Sequence, residues 1–312
     1  MKWRYRAARW LGHRFWLRGR GRVILSLSPT DKETGEVFDV DFFGHNYHGL
    51  LDDFIDREVY IYGGYELNIL VLLSQLAQAS RATREGPVTY VDVGANTGHH
   101  ALFMSRLADR VICFEPFEPV RHRLEERIAS NNLRNVSVWP LALSAQAGRS
   151  FYYPPESNNQ GTGSLVPELF SSNRPVPIEV KTDVGDNYFD DCSGSGVSIL
   201  KIDVEGSEIP VLEGLRKTLL RCRPAVILEL SEFTRAKVGS LARLCALLYP
   251  DAVALTIGKT PWRVDYTLRE CDFTEPGNIL IIPAEFSAMV PRRASFASAP
   301  ANLAESFDRG AA

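Results

Sequence analysis

The sequence has few cysteines, no long apolar run and little excess charge. Its 312 residues include five cysteines, which are widely scattered and form no C-x-x-C pair. That scatter argues against a zinc site and favours free thiols in a reducing compartment, so a cytoplasmic location is predicted. The chain lacks any run of about 18 apolar residues, so no membrane-spanning helix is expected. A formal net charge of -3 gives no global reason to expect a nucleic-acid partner.

What is present is an average globular composition, with 45% hydrophobic and 23% charged residues. This is enough for one α/β domain of about 200 residues with additional segments. The N-terminus departs from the average, because residues 1–23 carry eight Lys and Arg residues and no acid, interleaved with aromatic residues. Two interpretations stay open: a helix lying on an anionic membrane surface, or a helix packed on its own domain with solvated arginines.

The most informative segment runs from Val88 to Gly98 and reads VTYVDVGANTG. An apolar β-type stretch is followed by Asp92, by two glycines and then by a helical pattern. This strand, tight turn and helix start are typical of a loop that holds a nucleotide-like ligand. The order differs from the Gly-x-Gly-x-x-Gly fingerprint of dinucleotide sites. An acid at this place would repel a pyrophosphate but suits a cationic ligand.

A second short apolar strand ends at Glu115 and is broken by Pro116. A carboxylate at the end of the second strand of such a unit can accept both hydroxyls of a ribose. Asp92 and Glu115 together fit a ligand with an ammonium group and an unphosphorylated ribose. These features favour S-adenosylmethionine over NADP as the cofactor.

Strands and helices alternate from residue 88 onward, which predicts an α/β fold with a mostly parallel, seven-stranded sheet and helices on both faces. The strands are predicted near 88–94, 110–115, 135–141, 197–203, 225–230, 253–257 and 278–283. The helices are predicted near 98–108, 118–131, 208–221 and 234–248. A short link precedes the last strand, which suits an antiparallel closing hairpin.

Four parts are predicted along the chain. They are a basic aromatic segment (1–30), a helical cap (31–87), the cofactor-binding domain (88–284) and a disordered tail rich in Ala, Ser and Pro (285–312). Within the cap, an amphipathic helix is predicted over 67–79. The cap precedes the first strand of the sheet and can close over a ligand. An insertion over 149–190 is interpreted either as part of the substrate wall or as an ordinary hairpin extension.

Candidate chemistry follows the fourth strand, where the chain reads Lys201-Ile-Asp-Val-Glu-Gly-Ser-Glu208. In open α/β sheets the ligand lies beyond the carboxyl ends of the strands, so Asp203 and Glu205 should emerge beside the cofactor. Asp203 is the first candidate for the base that removes a hydroxyl proton. The alternative is a structural ion pair and helix cap formed by Lys201, Asp203 and Glu205.

Further candidate bases lie at neighbouring positions. Glu229 and Glu232 flank the end of the fifth strand, where a carboxylate could meet Asp203; no metal site is predicted, although such a pair could bind a divalent cation. His99 and His100 begin the helix after the glycine loop, and the helix dipole should favour their neutral form. His99 is a candidate base, with a packing role as the alternative. Two histidines of the cap, His45 and His48, could contact a sugar.

Three segments closely resemble the FkbM-type family of S-adenosylmethionine-dependent methyltransferases: Val91–Gly98, Phe114–Pro116 and Lys201–Glu208. The resemblance implies a Rossmann-like, class I methyltransferase fold and O-methylation of a sugar, glycan or polyketide-like metabolite. It also implies that residues of the glycine loop and of the second strand's end hold the cofactor. The full predicted cofactor set is Asp92, Gly94, Ala95, Asn96, Gly98, Glu115, Pro116 and Asp203.

Two other functions stay open. A nucleic-acid methyltransferase would usually carry an Asn/Asp-Pro-Pro-aromatic motif after the fourth strand, where this chain has Asp203-Val-Glu-Gly206. The other alternative is a non-catalytic cofactor-binding module that uses its basic N-terminus at a membrane or partner surface. The predicted acceptor is a small molecule or glycan, and no nucleic-acid partner is expected.

Overall fold

The structure is a computed structural model. It describes residues 3–14, 17, 19–28, 35–83, 86–155, 160–170, 175–189, 196–259 and 265–296. The cap strands are β1 (Val37–Phe42) and β2 (His45–Leu50). The other strands are β3 (Thr89–Val93), β4 (Arg110–Phe114), β5 (Val136–Trp139), β6 (Ala142–Ser144), β7 (Gly148–Tyr152), β8 (Ile178–Val184), β9 (Ile199–Ile202), β10 (Ala225–Leu230), β11 (Ala252–Lys259), β12 (Asp265–Glu270), β13 (Gly277–Pro283) and β14 (Arg293–Ser295).

The helices precede, separate and follow these strands. They are α1 (Trp3–Gly12), α2 (Arg20–Leu27), α3 (Phe54–Tyr62), α4 (Leu67–Thr83), α5 (His99–Met104), α6 (Glu118–Ser130), α7 (Glu208–Gly214), α8 (Arg216–Cys222), α9 (Glu232–Val238), α10 (Leu241–Ala246) and α11 (Ala284–Ser287). None of the helices in the described part of the chain is long and apolar enough to cross a membrane.

The large sheet has the strand order β14-β12-β11-β13-β10-β9-β3-β4-β5. Five adjacent strands, β5, β4, β3, β9 and β10, are parallel to one another. Strand β13 lies between β10 and β11 and runs antiparallel to both. The predicted α/β, class I methyltransferase-like fold is thereby confirmed, and all seven predicted strands form. Among the described residues the sheet also contains β12 and β14, which were not predicted.

The predicted short closing hairpin is wrong in one respect. The link before β13 contains β12, which pairs with β11 on the edge away from β13. The last strand therefore inserts between β10 and β11 instead of following β11 directly. Its antiparallel direction agrees with the prediction.

Alternate residues of the central strands face opposite sides of the sheet, and this produces two apolar cores. Tyr90, Ile199 and Ile227 belong to the core that includes α4 and α5. Val91 and Leu200 belong to the core that includes α7 and α8. The predicted placement of helices on both faces is confirmed.

The helix predicted over 67–79 forms as α4, but it is not amphipathic. Every residue from Ile69 to Ala77 is buried. The strands β12 and β14 pack against α4, together with α5. These unpredicted strands explain why this stretch has no solvent-exposed face.

The first part of the predicted disordered tail, residues 285–296, is folded. Residues 285–296 include most of α11 and all of β14, and the Phe296 ring lies 5.3 Å from that of Phe43 in the β1–β2 turn. The prediction of disorder is wrong for residues 285–296, because Phe296 is buried against the cap. The remainder of the predicted tail, 297–312, lies outside the described residues.

The insertion forms part of a small sheet of order β6-β8-β7, and β7 pairs antiparallel with β8. Ser164 pairs with Tyr153 beyond the end of β7. Strands β7 and β8 of the insertion therefore form a hairpin extension. Its inner residues, from 161 to 165, reach the cavities described below.

One buried arginine joins the cap to the glycine loop. Arg127 in α6 donates to the carbonyl oxygens of Thr97 at 2.6 Å and His48 at 3.0 Å, and to the Asp56 carboxylate at 2.8 Å. Asp56 is fully buried in α3 and also accepts a hydrogen bond from the Tyr47 hydroxyl at 2.8 Å. The hairpin, α3 and the loop are thus held in one arrangement.

Replacing this arginine should loosen the cap. Arg127→Met keeps much of the side-chain volume but removes three hydrogen bonds from buried acceptors, so we expect a loss of about 3 kcal/mol in the free energy of unfolding. Urea denaturation measures it. The control is Arg134→Met, since Arg134 is exposed, and its change should stay within about 0.5 kcal/mol. Equal stability of the two variants would contradict the proposed role of Arg127.

Candidate functional site

The glycine loop between β3 and α5 is shaped by three residues with positive φ. Gly94 has φ 81°, Asn96 has φ 52° and Gly98 has φ 83°. The amide N–H groups of Gly94 and Ala95 both donate to the Phe114 carbonyl at the end of β4, at 3.0 and 3.2 Å. A Cβ on Gly94 would lie 1.9 Å from the Asp203 carbonyl oxygen. The loop therefore lies directly against the end of β9, which only glycine permits.

Glu115 is fixed in place by the same loop. Its carboxylate accepts hydrogen bonds from the N–H of Asn96 and the N–H of Phe117, both at 2.9 Å. Burial raises the pKa of Glu115 to about 7, although these two bonds oppose the shift. Each oxygen makes one bond to the backbone and keeps further acceptor capacity for a ligand hydroxyl.

A first cavity of about 580 Å³ opens beside Glu115. Its walls are mainly apolar and come from the ends of β3 and β4, from α6 and from the insertion. They include Phe114, Val120, Leu143, Tyr152 and Leu165. An apolar cleft with one oriented carboxylate suits a nucleoside, whose base is flat and whose ribose carries two hydroxyls.

A second cavity of about 560 Å³ lies on the other side of the loop and is strongly polar. It is lined by residues from the cap, the loop, β9 and β10. They include Tyr65, Glu66, His99, His100, Lys201 and Glu229. Asp203, Glu205, Gly94, Asn96 and Gly161 line both cavities. The two cavities therefore meet at the carboxyl end of β9.

Lys201 is the cation of this region. Its side chain is 4% exposed, and Nζ lies 2.7 Å from Oδ2 of Asp203. Asp92 lies opposite Lys201 in the β3–β9 register. Burial lowers the pKa of Lys201, but the carboxylates of Asp203, Asp92 and Glu66 outweigh it and raise this pKa above its ordinary value. The ion pair considered from the sequence is present.

The pKa values of two facing carboxyl groups diverge. Burial raises the pKa of Asp203, but Lys201 outweighs burial and holds that pKa below its ordinary value. The charge of Asp203, followed by burial, raises the pKa of Glu229 to about 10. At neutral pH Asp203 is therefore ionised and Glu229 is protonated, so of this pair it is Asp203 that can accept a proton from a substrate.

Glu205 stands in a strained turn, with φ 48°, and is followed by Gly206 with φ 94°. Burial and the nearby charges of Asp203 and Glu208 raise the pKa of Glu205 to about 7. Glu208 fixes the turn, because its carboxylate accepts from the N–H of Gly206 at 3.0 Å and of Val204 at 3.3 Å. Glu208 thus holds the turn before α7. The side-chain helix cap considered for the Lys201, Asp203 and Glu205 group is not formed, because the N-cap of α7 is Ser207 without a side-chain cap bond.

One oxygen from each of Asp203, Glu205 and Glu229 lies within 4.8 Å of the others, a spacing at which carboxylates can share a divalent cation. The sequence predicted the meeting of Glu229 with Asp203. Glu232 does not join them, since it is exposed in the first turn of α9.

His99 and His100 are buried in the first turn of α5. His99 stacks edge-on against Tyr65, and Nε2 of His100 lies 3.6 Å from Oε2 of Glu66. Burial lowers the pKa of both histidines well below its ordinary value, with Lys201 contributing. Their neutral form was predicted, but the main cause is burial and not the helix dipole.

The remaining predicted site residues lie at different depths. Ala95 lines the second cavity and Pro116 the first. Gly98 caps α5, and a Cβ there would clash with Leu124. Asp92 is 1% exposed and lines neither cavity; its carboxylate oxygens have no hydrogen-bond partner in the described structure, and burial raises its pKa to about 7.

His45 and His48 are placed away from both cavities. Nε2 of His45 lies 3.0 Å from the Ser105 hydroxyl, and Nδ1 of His48 lies 3.1 Å from Asp39. Neither residue lines the second cavity.

Sequence reasoning missed the individual contributions of Tyr65, Glu66 and Gly161. The cap and the insertion had been expected to approach the ligand, but the cap residues proposed for this were His45 and His48, and no residue of the insertion was assigned. One local feature could have pointed to Glu66. Gly63 and Gly64 separate two helical patterns, and Tyr65 and Glu66 stand directly before the long apolar helix. Glu66 also accepts a hydrogen bond from Asn278 in β13 at 2.9 Å, a contact that no local pattern predicts.

Comparison with known proteins places the chain among methyltransferases. The methyltransferase FkbM domain matches residues 92–273. Methyltransferase sdnD of Sordaria araneosa is 28% identical over 206 residues, which cover 56% of this chain and 77% of that protein. The hexuronic acid methyltransferase AglP of Haloferax volcanii is 31% identical over 130 residues, covering 41% of this chain and half of AglP.

A solved structure of methyltransferase FkbM from Methylobacillus flagellatus is similar with a TM-score of 0.43 and 18% identity. The similar region covers 72% of this chain and 52% of that chain, so this chain spans about half its length.

Because Gly94 lies so close to the Asp203 carbonyl, replacing it should destabilise the protein more than replacing a glycine with free space around it. Gly94→Ala should cost strain from its φ of 81° and a clash with the Asp203 carbonyl, whereas Gly239→Ala should cost strain alone, since φ is 80° and the nearest atom is 3.6 Å away. We expect about 1 kcal/mol for Gly239→Ala and at least about 2 kcal/mol more for Gly94→Ala in urea unfolding. Equal losses would show that the loop is not pressed against β9.

Proposed function

The chain belongs to the FkbM methyltransferase family, whose cofactor is S-adenosylmethionine, and we propose that it methylates a hydroxyl oxygen of a sugar, glycan or polyketide-like metabolite. One observation carries this proposal: a nucleoside-type cavity and a polar, acid-lined cavity meet at Asp203. A donor held in the first cavity and an acceptor held in the second would face each other there.

The residues of the first cavity fit the cofactor. Glu115 is oriented by two backbone N–H groups and can accept the ribose hydroxyls. Gly94 lets the loop lie directly against the Asp203 carbonyl at the rim of this cavity. Apolar walls would face the adenine ring. When bound, S-adenosylmethionine supplies an electrophilic methyl group on a sulfonium. The surplus of carboxylates near Asp203 favours that positive charge.

Asp203 is our proposed base. The Asp203 carboxylate would accept the proton of the acceptor hydroxyl, while bound S-adenosylmethionine would supply the methyl group and leave as S-adenosylhomocysteine. Lys201 keeps this carboxylate ionised and fixed in direction. The acceptor is held in line by the cavity walls, which supplies much of the rate through positioning. Glu205, Glu229 and His99 line the same cavity and are the next candidates.

Carbohydrate acceptors are supported by the relative AglP, described as a hexuronic acid methyltransferase. The polar lining of the second cavity also suits a molecule with several hydroxyls. A cytoplasmic location is proposed as well, since Cys113, Cys245 and Cys271 are free thiols.

The cofactor assignment is tested by calorimetry. S-adenosylmethionine should bind and NAD should not. Glu115→Ala should weaken binding by about 1–3 kcal/mol through the lost ribose hydrogen bonds. Glu118→Ala is the matched control, because Glu118 is exposed at the start of α6 and lines neither cavity. Glu115→Gln, which keeps one acceptor, replaces the alanine variant if that variant melts early. Tight NAD binding would overturn the assignment.

The proposed base is tested by two isosteric variants. Asp203→Asn should lower turnover by a factor of about 10²–10⁴ with cofactor affinity nearly unchanged. Glu229→Gln mimics the protonated state of Glu229 at neutral pH, so its turnover should stay within about tenfold of the original. Release of S-adenosylhomocysteine with a panel of hydroxylated acceptors measures both.

Four outcomes would contradict this mechanism. Normal turnover in folded Asp203→Asn would remove that residue as base, and a larger loss in Glu229→Gln would transfer the role to Glu229. Loss of activity with EDTA, restored by a divalent cation, would make Asp203 a metal ligand. The absence of turnover with every acceptor, despite cofactor binding, would favour the non-catalytic alternative.

A further inference from the structure

Helix α1 is fixed to the body of the protein by one face. Tyr5, Ala8 and Gly12 are buried on it. A Cβ on Gly12 would lie 2.0 Å from the Ile61 carbonyl oxygen, so α1 lies directly against the end of α3. The Arg9 guanidinium also donates to the Tyr60 carbonyl at 2.5 Å. The helix is therefore not a free arm, and its other face has a defined direction.

The opposite face carries two exposed tryptophans and an arginine. Trp3 is 76% exposed and Trp10 is 55% exposed. Arg6 is also exposed and lies between them in sequence. Residues three and seven positions apart share one side of a helix, so Trp3, Arg6 and Trp10 form a single stripe. We call this stripe the outer face of α1.

The neighbouring helix adds aliphatic surface. Val23 and Leu25 in α2 are 49% and 64% exposed, and α2 is joined to α1 by the Arg20 guanidinium, which donates to the Gly12 carbonyl at 2.6 Å. Four of the 12 large apolar side chains that are exposed in the described structure thus lie in these two short helices. This concentration makes the two helices a candidate contact region, although Val23 and Leu25, two positions apart, lie on different sides of α2.

The segment that carries the outer face is basic. Residues 1–23 contain eight Lys and Arg residues and no acid. The Arg14 guanidinium lies 3.7 Å from the centre of the Trp10 ring, so a cation accompanies the aromatic group. A second copy of the chain docking on this face by two-fold symmetry would bring arginines against arginines, which disfavours a dimer.

We propose that the outer face of α1 binds an anionic lipid surface. Indole rings favour the membrane interface and arginines gain from anionic headgroups. Exposed Val23 and Leu25 favour lipid over single-stranded nucleic acid, since bases stack on aromatic rings and gain nothing from aliphatic side chains. Lipid binding by this face does not depend on the proposed methyl-transfer reaction.

Co-sedimentation of the full chain with vesicles tests this. Wild-type protein should bind vesicles of phosphatidylglycerol and phosphatidylcholine at 3:1, and bind pure phosphatidylcholine much more weakly. The double variant Trp3→Ala/Trp10→Ala should lose about tenfold or more in affinity for the anionic vesicles. Arg6→Glu should lose at least about fivefold, as expected for one basic contact.

Matched controls lie elsewhere on the surface. Trp139→Ala and Arg149→Glu change an exposed tryptophan in β5 and an exposed arginine in β7, and both should bind vesicles like the wild type. Melting temperatures of all variants should agree within a few degrees, because every changed side chain in α1 is exposed.

Several results would overturn the proposal. They are no vesicle binding by the wild type, equal binding to neutral vesicles, or equal losses in the control variants. Concentration-dependent dimers in analytical ultracentrifugation that disappear in the double tryptophan variant would assign the face to a second copy. Tryptophan-dependent binding of single-stranded RNA without vesicle binding would assign it to nucleic acid.

Discussion

The site depends on the attraction between the buried ammonium of Lys201 and the carboxyl groups around it. A cluster of acids from four separate elements converges there: Glu66 from the start of the cap helix, Asp92 from β3, Asp203 from the end of β9 and Glu229 from β10. Like charges at this spacing in a poorly solvated region could not all be ionised without a cation. Lys201 pairs directly with Asp203, at 2.7 Å, and so selects which carboxyl group carries the negative charge.

That selection gives the two facing carboxyl groups different chemistry. Asp203 is ionised at neutral pH, while Glu229 keeps its proton. The histidines add neutral polar groups, since burial keeps both uncharged. The protonation state of each carboxyl group in this site is thus set by its position relative to Lys201.

Much of the central domain follows from local pattern. The seven core strands, the glycine loop and the carboxylates at strand ends could be read because apolar periodicity and glycine spacing are local properties. The strands β12 and β14 could not, since β14 has three residues and β12 gains its place by pairing with β11. Helix α4 was misjudged for the same reason: its covering surface comes from residues about 200 positions later. Glu66 belongs to this class of contact too, as it meets Asn278.

The contact between Phe296 and Phe43 has a consequence for biosynthesis. β14 and Phe296 complete the packing around α4, whose central residues from Ile69 to Leu73 are fully buried. On the ribosome the cap emerges first, and α4 must wait for most of the chain before these strands can cover it. The nascent cap therefore exposes a helix rich in apolar residues during elongation, and chaperones would recognise such a segment. Completion of the catalytic domain and protection of the cap are thus one late event, not two successive ones.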